Sequence, residues 1–255
     1  MKHPSWRALL LGLCGLLPSW HAAAADLTVS AATSLTHAFR ELAPLFEAKN
    51  PSHKVQLNFG SSGALVQQIV KGAPVDVFAS ADQESMDRAQ AQGAVEAGER
   101  RDFVSNTLVV IVPADSAHVP QVLADLTQPA YQRIAIGLPD SVPVGRYTQG
   151  ALENAGLWAA IEPKTIRSQN VRQALDYVAR GEVDAGFVYS TDAALMPGKV
   201  RVAQRVPTHK PILYPIAPVA GSRNAVRAKQ FVEFVFSHEA QAVLAKHGFG
   251  SPDGR

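Results

Sequence analysis

The chain has 255 residues, with 24 Lys and Arg against 22 Asp and Glu, one cysteine and a formal net charge of +2. The charges are interspersed, whereas a nucleic-acid binder carries a clustered basic surplus, so that class is set aside. One cysteine excludes a disulfide framework within the chain.

Lys2 and Arg7 precede an apolar run from Ala8 to Leu17, which is followed by Ala22-Ala23-Ala24-Ala25. This is the order of an export signal: a positive start, a short apolar stretch, then small residues for cleavage near Ala24 or Ala25. The run is too short for a bilayer span of ~20 residues. Cys14 follows Leu13, where a lipoprotein signal needs a small residue, so cleavage without lipid attachment is expected. Loss of Lys2 and Arg7 from the 24 basic residues leaves 22 against 22 acidic, a formally neutral exported chain. About 230 residues remain, enough for two lobes of roughly 100 each.

Beyond the signal, short β-branched runs alternate with helical stretches, the pattern of an α/β protein with mostly parallel sheets. Strands are predicted at Leu27 to Ala31, Val55 to Phe59 and Val75 to Ala79. Helices are predicted at Leu35 to Lys49, Ala64 to Lys71 and from an Asp82 cap to Gln92. Leu108 to Val112 reads as a buried strand, after which the pattern restarts. Ile134 to Gly137 is a strand leading through Pro139 to Gly145 into a helix ending near Gly156. Val171 to Arg180 is a helix, Ala185 to Tyr189 and Ile212 to Val219 are strands, and Ser222 to His247 supplies the last helices.

Lys71-Gly72-Ala73-Pro74-Val75-Asp76-Val77-Phe78 and Arg180-Gly181-Glu182-Val183-Asp184-Ala185-Gly186-Phe187 echo one another: a basic helix end, a glycine stop, then Asp before a buried strand. Basic residues and glycine are ordinary helix terminators, so chance accounts for such an echo too. Two similar lobes follow from it: a discontinuous first lobe of residues 26–107 plus 217–255, and a second of 108–216. The chain crosses between them along Leu108 to Val112 and Ile212 to Val219.

Chemistry is concentrated at strand-to-helix turns. Thr33-Ser34-Leu35 and Gly60-Ser61-Ser62-Gly63 put hydroxyls and free N–H groups at helix starts, where four donors lack intrahelical partners and about half a positive charge resides. Each serine is equally an ordinary N-cap. Two such turns on one lobe nonetheless converge on the crevice beyond the strand ends. The second lobe offers the N–H groups of Val144, in Pro143-Val144-Gly145, and of Val171, after a capping Asn170. Both valines also read as packing residues with water-bonded amides. Tyr189 ends a buried strand, either with its hydroxyl in the cleft or bonded to backbone as a core tyrosine.

Catalytic partners are not evident. The histidines of the exported chain, His37, His53, His118, His209, His238 and His247, show no triad-like signature, and no Gly-x-Ser-x-Gly elbow is present. No His-x-x-x-His spacing suggests a metal ion, and no Gly-x-x-x-x-Gly-Lys loop a nucleotide. No catalytic residue, cofactor or directly coordinated metal is expected.

Ala31-Ala32-Thr33-Ser34-Leu35-Thr36, Phe59-Gly60-Ser61-Ser62-Gly63-Ala64-Leu65, Gly72 to Asp82, Val142-Pro143-Val144-Gly145, Asn170 to Leu175 and Val188 to Ala193, taken in order, resemble the periplasmic molybdate-binding proteins of ABC transporters. The resemblance implies a two-lobed periplasmic binding protein fold, each lobe a mostly parallel sheet flanked by helices, with two interlobe crossings. It implies molybdate or tungstate as ligand and an ABC permease as partner. It carries binding roles to Ser34, Ser62, the amides of Val144 and Val171, and Tyr189. Gly63 stands where a further serine is common in that family, and Val144 where alanine is common. A periplasmic monomer is expected, without nucleic-acid partner or membrane insertion after signal cleavage. A sulfate or other tetrahedral-oxyanion receptor remains as the alternative, and a secreted serine hydrolase as a remote one.

Overall fold

A computed structural model describes residues 26–51 and 53–253; the export segment expected over residues 1–25 lies outside them. The chain begins with β1 (Leu27–Ala32), a 3-10 turn (Thr33–Leu35) and α1 (Thr36–Lys49), followed by β2 (Val55–Gly60) and α2 (Ser62–Val70). Next come β3 (Val77–Ala79), α3 (Gln83–Ala91), β4 (Arg101–Asn106) and β5 (Leu108–Pro113). The restart anticipated at residue 108 yields β6 (Ile134–Gly137), α4 (Pro143–Asn154), α5 (Trp158–Ile161), β7 (Thr165–Ser168) and α6 (Val171–Ala179). β8 (Ala185–Tyr189), α7 (Ser190–Ala193), β9 (Val200–Arg205), β10 (Ile212–Pro218), α8 (Ala225–Val235) and α9 (His238–Lys246) complete the chain.

The strands form two five-stranded sheets, ordered β2-β1-β3-β10-β4 and β7-β6-β8-β5-β9. In each sheet the first three strands are parallel, and the fourth runs antiparallel to both neighbours. The two sheets thus share one plan, a mixed but mostly parallel α/β architecture. The crossings are β4 to β5, through Thr107, and β9 to β10, through residues 206–211. Ile212–Pro218 pairs along its length in the first sheet, so the second change of sheet precedes this strand, whereas residue 217 was the expected boundary.

The echo between the halves has a shared physical job. Gly72 and Gly181 end α2 and α6 with φ of +89° and +68°, a left-handed conformation that costs glycine no Cβ clash. Asp76 then accepts the Thr28 N–H at the start of β1, at 2.7 Å. Asp184 accepts the Gln132 and Arg133 N–H groups just before β6, both at 2.8 Å. Each aspartate ties the entry of its own third strand to that of the first.

Three strands escaped the sequence pattern: β4, β7 and β9. All lie at sheet edges, and their mixed sequences RDFVSN, TIRS and VRVAQR reflect one solvent-facing side. The interior strand β5, in contrast, is buried from Leu108 to Val112. Each such aliphatic side chain contributes about 1.5–3 kcal/mol on full burial. α1, α8 and α9 cover one face of the first sheet, where Phe46 meets Phe231 edge-on at 5.1 Å and Phe39 packs between Phe103 and Phe231. The C-terminal helices therefore pack on the first sheet rather than the second.

Candidate functional site

Ser34, Ser62, Val144, Val171 and Tyr189 line one small cavity between the two sheets. Thr33, Ser61, Asn170 and Pro143 complete much of its polar and turn-forming wall, and no charged side chain lines it. Strand-to-helix turns of both sheets meet here. On the first sheet they follow β1, β2 and, through Ala81, β3; on the second they follow β6 and β7. Tyr189 comes from the end of β8.

Local sequence explains the exposed helix starts. Ser61 precedes α2 without a side-chain capping bond, and Val142 and Pro143 start α4 with no side chain able to cap it. α6 differs: Asn170 accepts the Gln173 N–H at 3.1 Å, the capping role anticipated for it, which leaves the earlier Val171 amide uncapped by that side chain. Gly145, in the first turn of α4, lets that helix start press against the end of β6, because a Cβ there would lie 2.1 Å from the Gly137 carbonyl oxygen. Gly63 permits the close approach of the two halves. Its N–H donates to Ser141 O at 3.0 Å, and a Cβ on it would sit 2.7 Å from that same oxygen.

Hydrogen bonding decides which way the hydroxyls act. Ser62 is fully buried and its Oγ accepts the Ala81 N–H at 3.0 Å. A hydroxyl has one proton, so Ser62 retains it for another acceptor. Ser34 Oγ lies 3.0 Å from the Tyr214 hydroxyl. Thr33 Oγ1 and the Tyr189 hydroxyl are buried with no protein partner. Burial, with Tyr214 nearby, raises the Tyr189 pKa well above the ordinary phenol value, so the group stays a neutral donor. Thr33 and Ser61 line the cavity but were given no binding role from the sequence; the signal was a second hydroxyl beside Ser34 and beside Ser62 in the same turns.

The charges nearest the site are paired off outside its wall. Arg146, on α4, donates through Nε to Asp82 Oδ2 and through Nη2 to Ser85 Oγ, both at 2.8 Å and both across to the other half. Arg172 Nε donates to Asp192 Oδ1 at 2.6 Å. Burial pushes the Asp192 carboxyl up to about 6, with Arg172 opposing. Burial and the same guanidinium lower the pKa of His37, across the cleft on α1. Neither Ser34 nor Ser62 has a histidine as its hydrogen-bond partner. Among the described residues, no group of three or more His, Cys, Asp or Glu is gathered as a metal ion would need.

Residues 27–250 match the family described as bacterial extracellular solute-binding protein. The molybdate-binding protein ModA of Escherichia coli is 36% identical over 88% of this chain and 88% of that protein. A putative ABC transporter substrate-binding lipoprotein of Bacillus subtilis, YvgL, is 36% identical over 88% of this chain and 85% of its own. Among solved structures, the Azotobacter vinelandii periplasmic molybdate-binding protein superposes with a TM-score of 0.77 at 28% identity, covering 89% of this chain and 99% of that one. The sulfate-binding protein SubI of Mycobacterium tuberculosis also reaches 0.77, at 19% identity, a likeness of fold alone.

Proposed function

The chain belongs to the bacterial extracellular solute-binding protein family, and on that premise we propose that it captures molybdate, with tungstate, between its two sheets and delivers it to an ABC importer. Supporting this are the names of its relatives, several of them molybdate-binding proteins. The observation that carries the reading is the cavity itself: neutral donors from both halves and no charged side chain in the wall. The ligand-holding groups are Ser34 and Ser62, the amides of Val144 and Val171, and the Tyr189 hydroxyl, joined by the hydroxyl of Thr33.

A tetrahedral dianion is acceptor-only, so a wall of donors matches it without a bound cation. Hydrogen bonds to a charged partner contribute about 1.5–3 kcal/mol net each. Five or more reach micromolar to nanomolar affinity after the cost of association. Selection against sulfate rests on size: metal–oxygen bonds are longer than sulfur–oxygen bonds, and each donor that falls short of a smaller anion costs about 1–3 kcal/mol. Hydrogen phosphate brings a proton to a site that offers protons. Because the donors are divided between the halves, only the closed arrangement makes every bond, and the ligand favours it. The permease then reads the closed form. The protein does this work as an exported periplasmic monomer, its signal removed near Ala24 or Ala25.

Calorimetric titration of the protein with molybdate, tungstate, sulfate and phosphate tests the assignment. Tight binding of the first two and weak binding of the others is expected. Equal or tighter sulfate binding would move the assignment to a sulfate receptor, and silence toward all four would remove it.

A further inference from the structure

We infer that Tyr214 and Asn106, neither of which lines the cavity, are positioning residues that turn the hydroxyl proton of Ser34 toward the bound anion; this rests on the oxyanion-binding reading above. The argument begins from one backbone amide. The Thr107 N–H donates to Asn106 Oδ1 at 2.8 Å, and the Ser190 hydroxyl lies 3.2 Å from the same oxygen. An N–H can only donate, so the Asn106 carboxamide oxygen faces Thr107 and its NH2 faces the other way. That NH2 donates to Thr191 Oγ1 at 2.9 Å and to the Tyr214 oxygen at 3.2 Å.

Tyr214 is fully buried, and burial raises its pKa well above the ordinary phenol value, so it keeps its proton. Its oxygen receives Asn106, and its remaining partner is Ser34 Oγ at 3.0 Å. Tyr214 therefore donates to Ser34, and Ser34, having accepted there, keeps its own proton for the cavity. The chain of donation runs Asn106 to Tyr214 to Ser34 to ligand, each donor polarised by the one behind it. Ser62 reaches the same state by a shorter route, through the Ala81 N–H. Both serines are thus oriented as donors before any anion arrives.

The location of the relay adds to its meaning. Asn106 is the last residue of β4, at the first crossing, and Tyr214 lies near the start of β10, just after the second. Asn106 bonds Tyr214 on the first sheet and Ser190 and Thr191 beyond the second. The segments on which the halves must pivot therefore also set the direction of a ligand-binding proton.

A double-mutant cycle on anion affinity tests this. Tyr214→Phe keeps the ring and its edge contact with Tyr189 but removes the donor to Ser34. In the Ser34 background it should raise the molybdate Kd about tenfold, and in a Ser34→Ala background less than about twofold, because the proton it orients is gone. Asn106→Asp is the second variant. A carboxylate cannot donate, so Tyr214 turns its proton to Asp, Ser34 turns its own to Tyr214, and affinity falls by more with Ser34 present than with Ser34→Ala. Losses of equal size in both backgrounds, for either variant, would show a merely structural role and overturn the relay. Wild-type protein that binds none of the four anions contradicts both this inference and the functional reading; wild-type binding with additive variants contradicts the relay alone.

Discussion

Thr33 and Tyr189 each hold a hydroxyl buried and unpartnered at the cavity, and a buried polar group left unpaired costs about 1–3 kcal/mol. If the anion satisfies them, that cost is recovered on binding. Thr33→Val keeps the shape and removes the hydroxyl, so it should weaken molybdate binding about fivefold or more while ligand-free melting stays level or rises. Weaker melting with unchanged affinity would mean that the hydroxyl serves the fold. Asp192 is the residue whose charge should register in pH. Burial pushes its carboxyl up to about 6, above the ordinary carboxylate range, so the folded state holds the proton longer. Its contribution to stability is full below the unfolded pKa and is lost as pH rises through about 6. Melting curves of wild type and Asp192→Asn should therefore diverge between pH 4 and 7, wild type losing ground as pH rises; the opposite slope contradicts the burial of a charged carboxylate. At this scale, the gathering of Ser34, Ser62, Val144, Val171 and Tyr189 around one cavity was legible because each sits at a strand end or helix start that the local pattern marks. Tyr214 was not: it contacts Ser34 across 180 residues of sequence.

Helix starts and strand ends from both sheets converge because α/β units place their turns at one edge of the sheet. The halves meet backbone to backbone at α2 and the segment before α4, where the Gly63 N–H donates to Ser141 O. The space here does not admit a Cβ on Gly63 without a shift of the Ser141 backbone. Gly63→Ala should therefore hold the halves apart, lowering affinity at least tenfold while the far-ultraviolet dichroism of the folded protein is unchanged. Wild-type affinity in that variant would show that the segment 138–142 yields easily. The central strands and long helices were readable from apolar runs and caps such as Asp82, whose carboxylate accepts the Ser85 N–H. The edge strands β4, β7 and β9 were not, because a strand with one wet side and few apolar residues carries little signal above that of a loop.

Across the whole molecule, a buried charge pair ties the two halves together. Arg146 and Asp82 pair from opposite halves with side chains only 13% and 5% exposed, and Arg146 also donates to Pro139 O on its own side at 2.8 Å. Truncating one partner of a buried ion pair leaves an uncompensated charge, so separating the halves is favoured by its rehydration. Arg146→Gln should speed molybdate release, measured by stopped-flow fluorescence or chase, without changing the order of preference among anions. An unchanged release rate would assign the pair to folding alone. The two-sheet plan and the repeated Asp-led strand entry were visible in the sequence as an echo, but the interlobe ion pair was not, since 64 residues separate its members.

The central claim is that neutral hydroxyl and amide donors, divided between two halves, bind a tetrahedral oxyanion. Its most direct test is calorimetric titration of molybdate into wild type and into the Ser34→Ala, Ser62→Ala double variant, with melting curves to verify the fold. Removal of two charge-assisted hydrogen bonds should raise Kd at least about tenfold, with more expected if both act at full strength. Identical binding by a folded double variant would contradict the account.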